Sequence, residues 1–265
     1  MNAIILSAGE GSRLYPLTKN KPKGMVNLFK KNLLQWQIDT LRSCGIEDIT
    51  IVKGYLEQLI NFKKINYRKN KKYSTTNMVE TLFCATDKII GPTIISYGDI
   101  IYQKEVLEKI IHSKAEISVV IDKNWKPYWN ERFSEPLSDA ESLEINNSGY
   151  ITEIGQKVNN SRLISGQYIG LMKFQGKGIT NLLNFYKKSK LQAKNGINPL
   201  NPKCEFKKSY MTDLLEGMIK SKFKIKSVEI KNKWLELDTY SDYLLYKKMK
   251  NNNTLKHFLD LNKMK

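Results

Sequence analysis

Residues 2–25 read NAIILSAGEGSRLYPLTKNKPKGM, and the order of residue types in that stretch decides the fold class. Asn2 to Ser7 is an apolar run of the length of a buried strand. It ends in Ala8-Gly9-Glu10-Gly11-Ser12-Arg13, where glycines let backbone N–H groups approach a polyphosphate without a Cβ in the way. Arg13 can fork onto phosphate oxygens, and Lys23 supplies a mobile point charge. A strand running into such a loop points to phosphate binding; the competing reading is a tight turn before a helix. Leu14 stands where a dinucleotide fingerprint needs its third glycine, and the Gly-Lys-Ser/Thr of a Walker loop is missing.

Outward from this loop, strand and helix alternate. Leu33, Leu34, Ile38 and Leu41 recur at helical spacing, with Gly45 as a stop. Ile49 to Val52 reads as a strand and Tyr55 to Asn61 as a helix. Met78, Val79, Leu82 and Phe83 line one face of a helix opening near Asn77. Strand Thr93 to Tyr97, helix Glu105 to His112 and strand Ile117 to Ile121 follow. This alternation predicts an α/β fold with a mainly parallel sheet flanked by helices on both faces.

The second half changes character. Trp125 to Pro136 reads as an aromatic-rich connection without periodicity. Ser142 to Asn146, Tyr150 to Gly155 and Gly166 to Phe174 read as strands around the turn Asn146-Asn147-Ser148-Gly149. Helices near 176–190 and 209–221 come next, then strands near 224–230 and 234–237. Thr239-x-x-Asp242 has the form of a capping box. The expected organisation is one domain over 1–250, with a small antiparallel excursion over 122–173 and a basic tail over 251–265 after Asn251-Asn252-Asn253.

A chain of 265 residues, 41% of them hydrophobic, can bury roughly 70–75% of its unfolded surface, which excludes disorder, collagen and small disulfide scaffolds. Cys44, Cys84 and Cys204 are far apart and odd in number, and His112 and His257 form no cluster, so no cysteine or histidine metal site is expected. The cysteine usage fits a reducing cytoplasm. Ala3 to Leu6 is too short for a signal peptide's apolar region, and no run approaches the ~18 residues of a membrane span. The net charge of +18 fits nucleic acid, an anionic surface or phosphorylated substrates. Lysines are dense at 63–72 and 247–265, which keeps a basic nucleic-acid-binding protein as the non-enzymatic alternative. No helix-turn-helix or aromatic ribonucleoprotein pattern supports it, so no nucleic-acid partner and no membrane insertion are expected.

Leu6 to Thr18 together with Lys21-Pro22-Lys23-Gly24-Met25 resembles the signature LxAGxGSRLxPLTxxxPKxM of nucleotidyltransferases that activate sugar phosphates and phosphocholine. Ser7 stands for the commoner alanine and Gly24 for a larger residue. Gly98-Asp99 after an apolar strand and Leu235-Glu236-Leu237-Asp238-Thr239 resemble the family's two metal-binding aspartate segments. Thr76 to Leu82, Pro136 to Glu141, Gly166 to Gly170 and Tyr210 to Leu215 are similar to stretches of the CTP:phosphocholine cytidylyltransferase branch. That branch includes enzymes for 2-aminoethylphosphonate and for phosphoglutamine, the latter in bacterial capsule decoration. Residues 73–79 lack the proline- and glycine-rich base loop of sugar-phosphate nucleotidyltransferases, which remain the rival among enzymes.

The resemblance implies a Rossmann-like core and transfer of CMP from CTP to a small phosphorylated acceptor, giving a CDP-linked product and pyrophosphate. Mg²⁺ would be held by Asp99 and Asp238. Arg13 and the loop amides would hold phosphates, and Lys23 would draw the two anions together. Leu6, Ala8, Gly9, Gly11, Ser12, Thr76, Asn77 and Gly98 are the further candidates for nucleotide binding, the base lying against Ala8 and Gly9. For the acceptor, Trp125, Tyr128, Trp129, Tyr168 and Trp234 could cage a cationic head group, whereas Asp139 and Glu141 would suit an amine or amide. Phosphocholine and phosphoglutamine stand level, with 2-aminoethylphosphonate behind. Assembly of several copies is compatible with all of these readings.

Overall fold

The computed structural model describes residues 1–264. The first half comprises β1 (Asn2–Ser7), β2 (Asn27–Leu28), β3 (Lys31–Asn32), α1 (Leu33–Ser43), β4 (Asp48–Lys53), β5 (Asn66–Lys69), α2 (Met78–Phe83), β6 (Thr93–Tyr97), β7 (Ile100–Tyr102), α3 (Lys104–His112) and β8 (Ile117–Asp122). The second comprises α4 (Trp125–Arg132), β9 (Glu141–Ile145), β10 (Ile151–Lys157), β11 (Gln167–Phe174), α5 (Lys177–Gln192), α6 (Met211–Lys220), β12 (Lys226–Ile230), β13 (Trp234–Glu236) and α7 (Tyr240–Asn251).

Seven strands form one sheet in the order β12-β8-β11-β6-β1-β4-β5. β1 lies parallel to β4 and β6, and β8 parallel to β12, whereas β11 runs antiparallel between β6 and β8. Successive side chains of a strand face opposite ways. Ala3 and Ile5 therefore enter one apolar cluster with α1, α3, α4 and α7, and Ile4 and Leu6 enter another with α2, α5 and α6. Each fully buried Ile or Leu of this kind is worth about 1.5–3 kcal/mol. The mainly parallel, doubly covered sheet is as expected. Of the strands expected around the excursion, β9 and β10 form a separate hairpin, while β11 belongs to the main sheet.

Two local readings are corrected. Tyr55 to Asn61 is not a helix: Leu56 takes φ 43°, which breaks the helical path, and only one 3₁₀ turn follows at Glu57–Leu59. Trp125–Arg132 is a helix and not an irregular connection. Pro127 lies in its first turn, where a missing N–H is tolerated. Trp125, Tyr128 and Trp129 are buried at i, i+3 and i+4, and the i+7 position is Arg132, whose side chain is only 1% exposed. A charged fourth member hides the period from a hydrophobicity scan.

The segment after Asn251 packs back onto the body. Leu255, Phe258, Leu259 and Met264 are buried in the α1/α4/α7 cluster, and Lys233 N donates to Phe258 O at 2.6 Å. Among the described residues no helix is long and apolar enough to cross a membrane. Phe258 sits 5.4 Å from the Tyr128 ring, centroid to centroid. Phe258→Ala should therefore lower unfolding stability by about 3 kcal/mol, read from urea denaturation; an unchanged midpoint would show that this segment is not part of the cooperative core.

Candidate active site

A cleft of about 480 Å³ opens at the carboxyl ends of β1 and β6, the place where open α/β sheets bind ligands. At one end lies the loop after β1, with Gly9, Gly11, Ser12 and Arg13 on the wall. Gly11 adopts φ +71°, and a Cβ there would stand 2.8 Å from Lys23 Cβ. The loop can lie against the lysine only because that position has no side chain. Thr18 Oγ1 donates to Gly11 O at 2.8 Å and pins the turn.

The floor holds the charges. Lys23 Nζ donates to Asp99 Oδ2 at 2.7 Å and to Asp238 Oδ1 at 2.8 Å, and Arg13 Nη2 reaches the same Asp238 oxygen at 2.8 Å. The Lys23, Asp99 and Asp238 side chains are 15%, 13% and 10% exposed, while that of Arg13 is 69% exposed. Burial pulls the Lys23 ammonium down, but Asp99, Asp238 and Glu236 overcome it and hold its pKa above the ordinary value. Burial pushes Asp238 up, and Lys23 and Arg13 reverse that, leaving its carboxyl below the usual range. Glu236, also on the cleft wall, goes the other way: burial dominates over Arg132, and with Asp99 and Asp238 nearby its pKa is raised to about 7.

Asp99 Oδ1 is buried and lacks a hydrogen-bond partner among the described residues. An orphaned carboxylate oxygen facing a second aspartate suits Mg²⁺, which binds through one or two carboxylates and completes its shell with phosphate oxygens and water. Among the described residues no group of three or more His, Cys, Asp or Glu could hold an ion alone, so phosphate would have to share in holding it.

The far end is mixed in character. Asp139, Glu141, Gln167, Tyr168, Tyr210 and Thr212 line it, with Trp129 and Trp234 at its edge. Trp129 Nε1 donates to Asp139 Oδ2 at 3.1 Å. Gln167 is paired with the backbone of Glu141 through Nε2 to Glu141 O at 2.7 Å and Glu141 N to Oε1 at 3.2 Å. β11 carries a register shift between Tyr168 and Met172, and Gly170 at φ +84° lies where a Cβ would stand 2.5 Å from the Tyr97 ring. This irregular stretch adjoins Gln167 and Tyr168 on the cleft wall. Burial raises Asp139, and burial with Asp139 close by raises Glu141 to about 7.

Of the residues singled out in the sequence, Leu6, Gly9, Gly11, Ser12, Arg13, Lys23, Asn77, Gly98, Asp99, Trp129, Asp139, Glu141, Tyr168, Trp234 and Asp238 converge on this cleft. Ala8, Thr76 and Trp125 are not on its wall. Ala8 is buried, with its carbonyl taking the Tyr55 N–H at 3.0 Å. Thr76 Oγ1 is engaged by Asn70 Nδ2 and Lys72 O, each at 2.9 Å. Asn77 lines the cleft, but its oxygen caps Met78 N at 2.8 Å and its Nδ2 donates to Lys208 O at 3.3 Å.

Of the five rings expected to cage a cation, Trp129, Tyr168 and Trp234 reach the cleft wall, and four of the five pack on one another. Trp125, Tyr128, Trp129 and Trp234 pack edge to face or tilted against one another, with centroids 5.5–6.2 Å apart. Tyr128 is fully buried, and the cation over the Tyr128 and Trp129 rings is the chain's own Arg132, at 5.3 and 5.5 Å. Sequence reasoning missed Glu236, Arg132 and the wall residues Tyr97 and Ile169. Glu236 was within reach, since it lies two residues before Asp238 on an apolar strand.

The nucleotidyl transferase family model matches residues 2–121. Over 253 residues the chain is 40% identical to a CTP:phosphoglutamine cytidylyltransferase of Campylobacter jejuni, covering 91% of this chain and 97% of that one. It is 35% identical over 107 residues to a choline-phosphate cytidylyltransferase of Streptococcus pneumoniae, covering 39% of this chain and 47% of that one. The solved structure of a CTP:phosphocholine cytidylyltransferase from Streptococcus pneumoniae superposes with a TM-score of 0.69 at 20% identity, covering 95% of this chain and 98% of that one.

Two predictions follow from the charges in the cleft. Lys23→Met leaves Asp99 without its counter-charge and Asp238 with only the exposed Arg13, and should destabilise the protein by about 3–5 kcal/mol. Adding Asp99→Asn to that variant should restore part of the loss in chemical denaturation, and a further loss would contradict the pairing. The second concerns Glu141, whose pKa folding raises from 4.5 to about 7. Its contribution to stability is complete below the ordinary value and is lost as pH rises through about 7. Glu141→Gln should match the wild-type Tm near about pH 4 and exceed it near about pH 8; a constant difference across that window would mean that Glu141 is not the titrating group.

Proposed function

The chain belongs to the nucleotidyltransferases, in their cytidylyltransferase branch, and from that premise we propose that it transfers CMP from CTP to a phosphate bearing a small hydrogen-bonding head group of the phosphoglutamine type. The products are a CDP-linked compound, suited to surface-glycan decoration, and pyrophosphate. The observation that carries the reaction type is the Lys23 bridge between Asp99 and Asp238, beside a glycine-rich phosphate loop. The family resemblance over nearly the whole chain supports the same reading.

In this reading an acceptor phosphate oxygen attacks the α-phosphorus in line and pyrophosphate leaves, so no covalent enzyme intermediate is needed. Backbone amides of Gly9 to Ser12 and the exposed Arg13 side chain hold the leaving phosphates. Lys23 lies between the two reacting anions and lowers their mutual repulsion, which is greatest in the transition state. Mg²⁺, when held by Asp99 and Asp238, supplies charge neutralisation at the α-phosphate. The cleft walls hold both substrates in register, and positioning does much of the remaining catalysis.

The acceptor assignment rests on the far end of the cleft. A trimethylammonium group donates no hydrogen bond and wants open aromatic faces. Here the aromatic faces are packed on one another and on Arg132, while Asp139, Glu141 and Thr212 offer directed polar groups. Phosphocholine is the second reading, favoured by the Trp129, Tyr168 and Trp234 edges on the wall. An enzyme for 2-aminoethylphosphonate ranks behind both, and a sugar-1-phosphate enzyme last.

Pyrophosphate release from the four NTPs with phosphoglutamine, phosphocholine, 2-aminoethylphosphonate and glucose 1-phosphate tests the proposal. CTP with phosphoglutamine should give the highest kcat/KM. Comparable turnover of glucose 1-phosphate would sink the acceptor class, and preference for phosphocholine would shift the reading to the aromatic edges. Asp99→Asn and Asp238→Asn should each lower kcat by about a hundredfold or more while the circular dichroism spectrum is unchanged.

A further inference from the structure

Helix α4 supports two acidic groups of the cleft wall, Asp139 directly and Asp238 through a relay. Arg132, in its last turn, is as buried as a core leucine, yet it carries a full charge. Its guanidinium makes three hydrogen bonds. Nε and Nη2 fork onto Asp242 Oδ1 and Oδ2 at 3.0 and 3.2 Å, and Nη1 reaches Glu236 Oε2 at 3.0 Å. Asp242 in turn accepts the backbone N–H of Asp238 at 3.0 Å and of Thr239 at 2.8 Å. The position of the Asp238 peptide is thus set by a carboxylate whose own orientation Arg132 sets. A planar five-donor fork fixes a carboxylate in plane, which a lysine point charge does not.

One turn earlier on the same helix, Trp129 holds Asp139, another acidic group of the cleft wall. Residues three apart lie on one helix face, so a single rigid element carries the supports of both a head-group acid and a floor aspartate. We propose that Arg132 is a positioning residue for phosphoryl transfer, acting through Asp242 to hold Asp238 in place. The inference rests on the cytidylyl-transfer reading for its kinetic consequence, but its structural part stands apart from it.

The test is Arg132→Lys in the full chain, with Asp242→Asn as a second, independent break in the same relay. Each should lower kcat about tenfold or more while leaving KM for CTP within about threefold. The double variant should be little worse than the worse single one, because both break one relay. Tyr246→Phe is the structural control: it removes a hydroxyl that bonds Glu236 O at 2.7 Å and pairs with Tyr128 but makes no hydrogen bond to Asp242, and kcat should hold within about twofold. Loss of Tm with unchanged kcat in the first two variants would overturn the proposal. So would additive losses in the double variant, or an equal kcat loss in Tyr246→Phe. Amide exchange provides the readout that does not depend on turnover: Arg132→Lys should speed exchange at the Asp238 and Thr239 amides about tenfold while β1 stays unchanged. Wild-type inactivity with every acceptor would sink the functional reading alone; unchanged exchange at those two amides would sink this one.

Discussion

Two aspartates face one another at the bottom of a cleft with a lysine ammonium between them, and much of the molecule serves to keep them there. Like charges that close repel strongly once water is removed, so the arrangement is stable only with a cation in place. Lys23 provides it here, and the same geometry suits a divalent ion accompanied by phosphates. The requirement reaches far along the chain: Asp99 follows β6, Lys23 follows the loop after β1, and Asp238 follows β13. The sheet brings β1 beside β6, and β13 pairs with β7, the strand just after Asp99. Three charged residues distant in sequence therefore meet through strand pairing and not through local structure.

Around this centre the molecule divides its polar and aromatic groups. Aromatic rings beside Asp139 form a wall by packing against each other, and their polar edges are committed: Trp234 Nε1 to Asp122 at 2.8 Å, Trp129 Nε1 to Asp139, and Tyr128 with Tyr246. Among the described residues the cation over its Tyr128 and Trp129 faces is the internal Arg132. Burial raises both Asp139 and Glu141, and Glu141, at about 7, can present either a protonated or a charged carboxyl near neutral pH. A carboxyl that both donates and accepts suits an amide or an amine better than a quaternary ammonium.

Much was already decided by the sequence. The buried strand, its glycine loop, most of the strands and helices to residue 121 and the capping box at Thr239 are local features that backbone preference and periodicity predict, the false helix over Tyr55 to Asn61 being the exception. Asp99, Lys23 and Asp238 could be named because their motifs are contiguous. Tertiary structure alone decided the rest. Helix α4 was unreadable because its inward stripe ends in an arginine, which is apolar in no scale and is buried only because Asp242 and Glu236 meet it from other segments. Thr76 and Trp125 lie off the cleft wall, their polar and aromatic groups engaged by near neighbours in the chain: Asn70 and Lys72 for the threonine, Trp129 one turn along α4 for the tryptophan. β11 joined the main sheet because pairing is settled by which strand edges are free, and no single strand's sequence records that. What a residue is can be read along the chain; whether its hydrogen bonds and faces remain available to a substrate depends on partners that only folding supplies.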